Sequence, residues 1–206
     1  TMTCEAEIEL MKALEPGMTE YQSEAIVEFF FKVKGAEDVG FPSILGSGEN
    51  SCILHYTTNR KHLDNPELLV SDIGAEYHGY TADVTRTIPI NGTFSPEQKL
   101  IYNIVYDAQE AGIKQCLKGK PFMAPHNAAV KVIQTRLLEL GIIKEASEYR
   151  KYFMHGTSHY LGLDVHDAGL YDQLKVNSII TVEPGVYIAA DSDLSLIHIS
   201  EPTRLR

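Results

Sequence analysis

The sequence is short of cysteine, of basic charge and of long apolar runs, and each shortage removes a class of function. Cys4, Cys52 and Cys116 are the only three cysteines among 206 residues, and no pair has CxxC spacing. Neither a disulfide framework nor a thiolate zinc site is therefore encoded, and a reducing, cytoplasmic setting is expected. A total of 18 Lys and Arg against 28 Asp and Glu gives a formal net charge of -10. That is the wrong sign for a nucleic-acid or anionic-membrane partner and suits a cation or a neutral peptide. No apolar run approaches the roughly 20 residues that span a bilayer. The opening TMTCEAEIEL lacks the basic start and apolar stretch of a signal peptide. What is present, 44% hydrophobic and 9% aromatic residues, suffices for one sizeable globular domain.

Periodicity places helices first, strands next, then both again. Residues 3–14 put Ile8, Met11 and Leu14 on one helical face before the stop at Pro16-Gly17. Thr19 caps a second helix over 20–34, whose buried stripe is Ile26, Val27, Phe30 and Phe31. In ILGSGENSCILHYT (44–57) a Gly/Ser/Asn loop precedes CILHY, which reads as a strand carrying His55 into the interior. Residues 68–90 form an antiparallel hairpin broken at Glu76-Tyr77-His78-Gly79-Tyr80, with Asp72 and Asp83 facing each other across it. Ser95 and Pro96 open a helix running to about Leu117, and another covers about 125–140. NSIITVEPGVYI (177–188) gives two short strands around Glu183-Pro184-Gly185. The twofold order of helix, helix and strands points to two related halves.

The chemistry concentrates in a few polar residues set among apolar ones. Asp72 in VSDIG, Asp83 in TADVT and Glu183 in TVEPG are carboxylates whose neighbours predict burial, which is costly without a countercharge. Singly, each reads more readily as a salt-bridged or capping acid. The run HGTSHYLGLDVHD (155–167) holds His155, His159 and His166 and, taken alone, reads as a surface loop. Together, three buried carboxylates and a histidine cluster point to a divalent cation, and oxygen ligands with one imidazole suit a hard ion such as manganese.

The stretches GSGENSCILHYT, VSDIGAEYHGYTADVTRTIPINGTFSPEQ, FMHGTSHYLGLDVHDAG and ITVEPGVYI resemble, in order and spacing, the catalytic domain of the Xaa-Pro aminopeptidases (aminopeptidase P), relatives of prolidase. The resemblance covers residues 3 to about 190. It implies the pita-bread fold, an α+β domain of two pseudo-symmetric halves with a curved antiparallel sheet around two divalent ions, usually Mn2+. It implies peptide substrates with proline in second position and a homo-oligomer for the full-length protein. By the same resemblance, Asp72 chelates one metal and Asp83 bridges both. His159 and Glu183 serve the other ion, with Glu183 also relaying a proton. His55, His155 and His166 face the substrate, His55 and His166 as groups able to steady the carbonyl oxygen. Asp164 and Asp167 are left with structural roles.

The chain departs from that pattern at both ends. The resemblance implies a preceding N-terminal domain and a later strand carrying a glutamate that bridges both ions, and neither is found. The expectation is a fragment in which Asp72 and Asp83 alone hold one ion weakly, with little activity. Residues 194–206, LSLIHISEPTRLR, match nothing in the family and read as the translation of a sequencing-library adapter, so His198 and Glu201 are not counted as ligands. Prolidase is the alternative activity. A non-catalytic pita-bread binding module or a metal-free, creatinase-like hydrolase is disfavoured by the four retained ligands.

Overall fold

Helix caps written in the sequence set the frame of the computed structural model, which describes residues 1–189. Helix α1 (Met2–Ala13) is followed by α2 (Glu20–Val33), where Thr19 and Gln22 form a reciprocal capping box. Ser95 and Gln98 form the same box at the start of α3 (Pro96–Ile113), with Pro96 in the first turn. Helix α4 (Ala124–Glu139) ends just before Gly141, whose φ of 69° suits the residue that follows a helix C-terminus. Helix α3 stops at Ile113, short of the expected Leu117, and the chain leaves it in turns.

The strands are β1 (Asp38–Val39), β2 (Ile44–Ser47), β3 (Leu68–Ile73), β4 (Ala75–Tyr77), β5 (Tyr80–Thr81) and β6 (Val84–Pro89). They form two three-stranded antiparallel sheets, ordered β1-β4-β5 and β2-β3-β6. Helices α1 and α2 cover the second sheet, and Leu10, Val27, Phe31, Leu45, Leu69 and Ile73 form its core. A separate core joins α3 and α4 through Ile101, Ile104, Ile133 and Leu137, with Phe153 and Val186 added from later segments. Each such side chain contributes about 1.5–3 kcal/mol on full burial. Two helix pairs with two cores match the expected two halves.

Four local expectations are corrected. In α1 the buried face is Thr3, Ala6, Glu7 and Leu10, whereas Ile8 and Met11 are exposed. Small Ala6 lets the helix approach the sheet, and Glu7 is held there by the hydroxyl of Ser71 at 2.9 Å. CILHY is not a strand: the strand is ILGS, a 3-10 turn covers Gly48–Cys52, and Ile53 and Leu54 are exposed. Asp72 does not face Asp83, because the β3-β6 register pairs Asp72 with Thr85 and leaves Asp83 one residue before β6.

NSIITVEPGVYI contains no regular strand. It does run antiparallel to 157–161, through amides of Thr181 and Glu183 that donate to the carbonyls of His159 and Thr157 at 3.0 and 2.9 Å. The amide of His159 goes to the hydroxyl of Thr181 at 3.0 Å, so a side chain occupies one rung of the ladder. The 194–206 reading lies outside the described residues.

Candidate metal centre

Asp72 reaches the site because β3 is buried on both faces. Its neighbour Ser71 points to α1 through Glu7, and the alternation of a strand turns Asp72 to the opposite side. Asp72 is 3% exposed, and the hydroxyl of Thr85, its cross-strand neighbour, donates to Oδ1 at 2.6 Å. Asp83 follows the β4-β5 excursion, which returns close to Gly74: a Cβ at Gly74 would collide with the carbonyl oxygen of Ala82. Only a residue without a side chain fits there.

The other wall comes from two segments pinned to the second helix pair. Gln109 of α3 donates to the carbonyl of Val182 at 2.9 Å and fixes the segment of Glu183. His126 of α4 bonds Thr157 through Nδ1 at 2.9 Å and fixes the segment of His159. Burial, aided by the Arg150 charge, holds the His126 imidazole below its ordinary pKa, which favours the neutral ring.

Three donor atoms converge between the walls. Nε2 of His159 lies 3.3 Å from Oδ2 of Asp83 and 3.0 Å from Oε1 of Glu183. One ligand atom from each of these residues lies within 4.8 Å of the others. Nδ1 of His159 is 2.9 Å from the carbonyl oxygen of Tyr160, to which only a protonated nitrogen can bond. That bond places the ring proton on Nδ1 and leaves the lone pair of Nε2 available to ligate a cation beside the carboxylates. The hydroxyl of Thr181 donates to Oε1 of Glu183 at 2.9 Å and orients that carboxylate. Two nearly buried carboxylates with one oriented imidazole fit a hard divalent cation. Asp72 stands in the same cleft, outside that tight group of three.

The cleft measures about 760 Å³, and all seven residues singled out in the sequence line it: His55, Asp72, Asp83, His155, His159, His166 and Glu183. The ring of His166 meets that of His159 edge to face at 4.4 Å, and His55 lies 6.2 Å from His166. His155 is oriented at both nitrogens, Nδ1 towards the carbonyl of Gly156 at 2.7 Å and Nε2 towards the hydroxyl of Tyr187 at 2.8 Å. Because Nδ1 must donate to that carbonyl, Nε2 is the acceptor and the Tyr187 hydroxyl the donor. Asp167 packs against Gly162, and its amide donates to the carbonyl of Tyr160.

Sequence reasoning missed Thr85, Thr181, His126 and Tyr187, which bond other side chains, and Gln109, which holds the backbone of Val182. It also missed Phe41, Pro42 and Tyr171, which add apolar surface to the cleft. None of the eight carries a local pattern that distinguishes it from an ordinary core or surface residue.

The chain is similar to known metallopeptidases. The model of metallopeptidase family M24 matches residues 1–202. The Xaa-Pro aminopeptidase of Escherichia coli is 39% identical over 205 residues, covering 94% of this chain and 46% of its own length. The Xaa-Pro aminopeptidase of Haemophilus influenzae is 37% identical, covering 94% and 48%. Among solved structures, the Pseudomonas aeruginosa aminopeptidase PepP superposes with a TM-score of 0.93 at 35% identity, over 99% of this chain and 49% of its own. Proline aminopeptidase P II from Yersinia pestis gives 0.95 at 37% identity, over 99% and 50%. The chain thus spans about half the length of the curated relatives it matches. The pita-bread fold expected from the sequence is the fold of these neighbours and of this chain. With the family's model matched along nearly its whole length, the chain belongs to metallopeptidase family M24.

Proposed function

We propose that the protein is a metal-dependent Xaa-Pro aminopeptidase, releasing the N-terminal residue from peptides with proline in second position. The observation that carries this reading is the convergence of Asp83, His159 and Glu183 in a cleft also lined by Asp72 and three further histidines. Relatives named Xaa-Pro aminopeptidase support it.

In this reading Asp83, His159 and Glu183 hold one ion, and Asp72 with Asp83 holds a second. Bound divalent cations supply charge to offset the carboxylates, Lewis acidity towards the scissile carbonyl, and acidification of a water molecule. The protein supplies position and proton transfer. A carboxylate oxygen of Glu183 takes the proton of the attacking water and passes it to the proline nitrogen as the C–N bond breaks. His166 and His55 donate to the oxygen that gains negative charge, and His155, fixed by Tyr187, orients the peptide. Proline makes the scissile bond a tertiary amide without N–H. A cleft that offers histidine donors suits that substrate.

Manganese is the proposed ion, because carboxylate oxygens with a single imidazole favour harder cations. Location in the cytoplasm is supported by three free cysteines and an acidic net charge. No helix among the described residues is long and apolar enough to cross a membrane. Self-association into a homo-oligomer is supported by large apolar side chains on the surface, among them Phe29, Val33 and Ile179.

The test is hydrolysis by the manganese-loaded full-length protein, in which the activity is expected, of an Xaa-Pro-Xaa tripeptide, an Xaa-Pro dipeptide and a tripeptide without proline. Release of the first residue from the tripeptide with proline alone is expected. Cleavage of the dipeptide alone would favour prolidase, and no cleavage of either would reject a peptidase acting on proline.

A further inference from the structure

Glu20 opens α2, where an acid ordinarily serves the helix dipole from the surface. Here it is fully buried, and both carboxylate oxygens are filled by donors from one segment, residues 47–61. Oε1 accepts from the amide and hydroxyl of Ser47 at 2.8 and 2.9 Å and from Nδ2 of Asn50 at 3.0 Å. Oε2 accepts from the hydroxyl of Tyr56 at 2.8 Å and the amide of Lys61 at 2.9 Å. These donors bracket His55, and one of them is its immediate neighbour.

His55 has a φ of 56°, in the left-handed region that residues with a Cβ seldom enter. Such a backbone persists where its surroundings over-determine it. Nδ2 of Asn50 also donates to the hydroxyl of Tyr56 at 2.9 Å, closing a triangle with Glu20. On the return path Asn59 bonds the amide of Leu45 and the carbonyl of Ser43 at 3.1 and 2.8 Å, tying the segment along β2. The exposed Ile53 and Leu54 contribute little packing of their own.

We infer that Glu20, although it does not line the cleft, is a positioning residue: its carboxylate holds the 47–61 segment in the conformation that presents His55 to the substrate. This inference rests on the proposed role of His55 in substrate binding.

The test uses Glu20→Gln and the milder Tyr56→Phe, each alone and combined with His55→Ala, in the manganese-loaded full-length protein. With either single variant, kcat/KM on an Xaa-Pro-Xaa peptide is expected to fall about tenfold for Glu20→Gln and less for Tyr56→Phe, with metal stoichiometry unchanged. In the His55→Ala background the same changes should cost less than about twofold, because the residue they position is gone. Equal losses in both backgrounds, or loss of metal, would overturn the inference. A second readout needs no activity: at fixed pH the imidazole NMR signals of His55 should move in both variants while those of His126 stay in place. Unmoved His55 signals reject positioning by Glu20, whereas absent peptidase activity in the unsubstituted full-length protein rejects only the functional reading. If Glu20→Gln does not fold, Tyr56→Phe decides by the same readouts.

Discussion

The hydroxyl of Thr181 donates to Oε1 of Glu183 at 2.9 Å, and the Thr181 hydroxyl oxygen in turn accepts from the amide of His159 at 3.0 Å. One threonine therefore ties together two of the three residues whose donor atoms converge. Thr181→Val keeps the shape and removes both bonds. It should weaken manganese binding by about tenfold or more, the usual scale for losing an orienting partner. Calorimetric titration checks this, and unchanged affinity would show that the ligands are oriented without Thr181.

Glu7 predicts a stability effect with a definite pH window. Its carboxyl is 2% exposed between α1 and β3, and burial pushes its pKa from 4.5 up to about 8. The Ser71 hydroxyl and the Arg86 charge oppose that rise, and the Asp72 charge adds to it. The folded state thus keeps a proton that the unfolded chain gives up. This group's stabilisation is complete below about pH 4.5 and is lost as pH rises to about 8. Glu7→Gln, which does not ionise, should raise the Tm relative to the parent by roughly 5 °C or more at pH 8 and by little at pH 4.5. A Tm difference independent of pH would contradict the account.

Gly74 is predicted to be intolerant of a side chain. Because a Cβ there meets the carbonyl of Ala82, Gly74→Ala must push back the segment that delivers Asp83. The expected result is a loss of about 1–3 kcal/mol in chemical denaturation, together with weaker manganese binding. Loss of stability with intact metal affinity would place the strain elsewhere.

Manganese itself should stabilise the fold, since the ligands lie on segments far apart in sequence. At a free concentration of 100 times Kd a single site adds about 2.7 kcal/mol, readable as a rise in Tm. Asp83→Asn should abolish most of that rise. A variant that still responds fully would remove Asp83 from the ligand set.

The helices were legible because their signals are local: Thr19 with Gln22 and Ser95 with Pro96 and Gln98 are complete within one turn. The cleft residues were legible because polar groups stand in otherwise apolar strands, as Asp72 does in β3. What failed was decided at a distance. The apolar run CILHY has the composition of a strand, yet a turn covers its start and its next residues are exposed, within a segment held by Glu20 from the start of α2. Nothing in the letters around Glu20 distinguishes it from a surface acid at a helix start. Likewise the 177–188 segment lacks a regular ladder where the Thr181 side chain takes the amide of His159, a competition that strand composition does not reveal.

The central claim is that Asp83, His159 and Glu183 together hold a metal ion. The most direct measurement is an anomalous difference map from crystals of the full chain grown with manganese, recorded on both sides of the manganese edge. The account predicts a peak within ligand distance of Oδ2 of Asp83, Nε2 of His159 and Oε1 of Glu183, and a weaker peak or none beside Asp72. Fully ordered side chains with no peak among those three atoms, or a peak held by other residues, would contradict it.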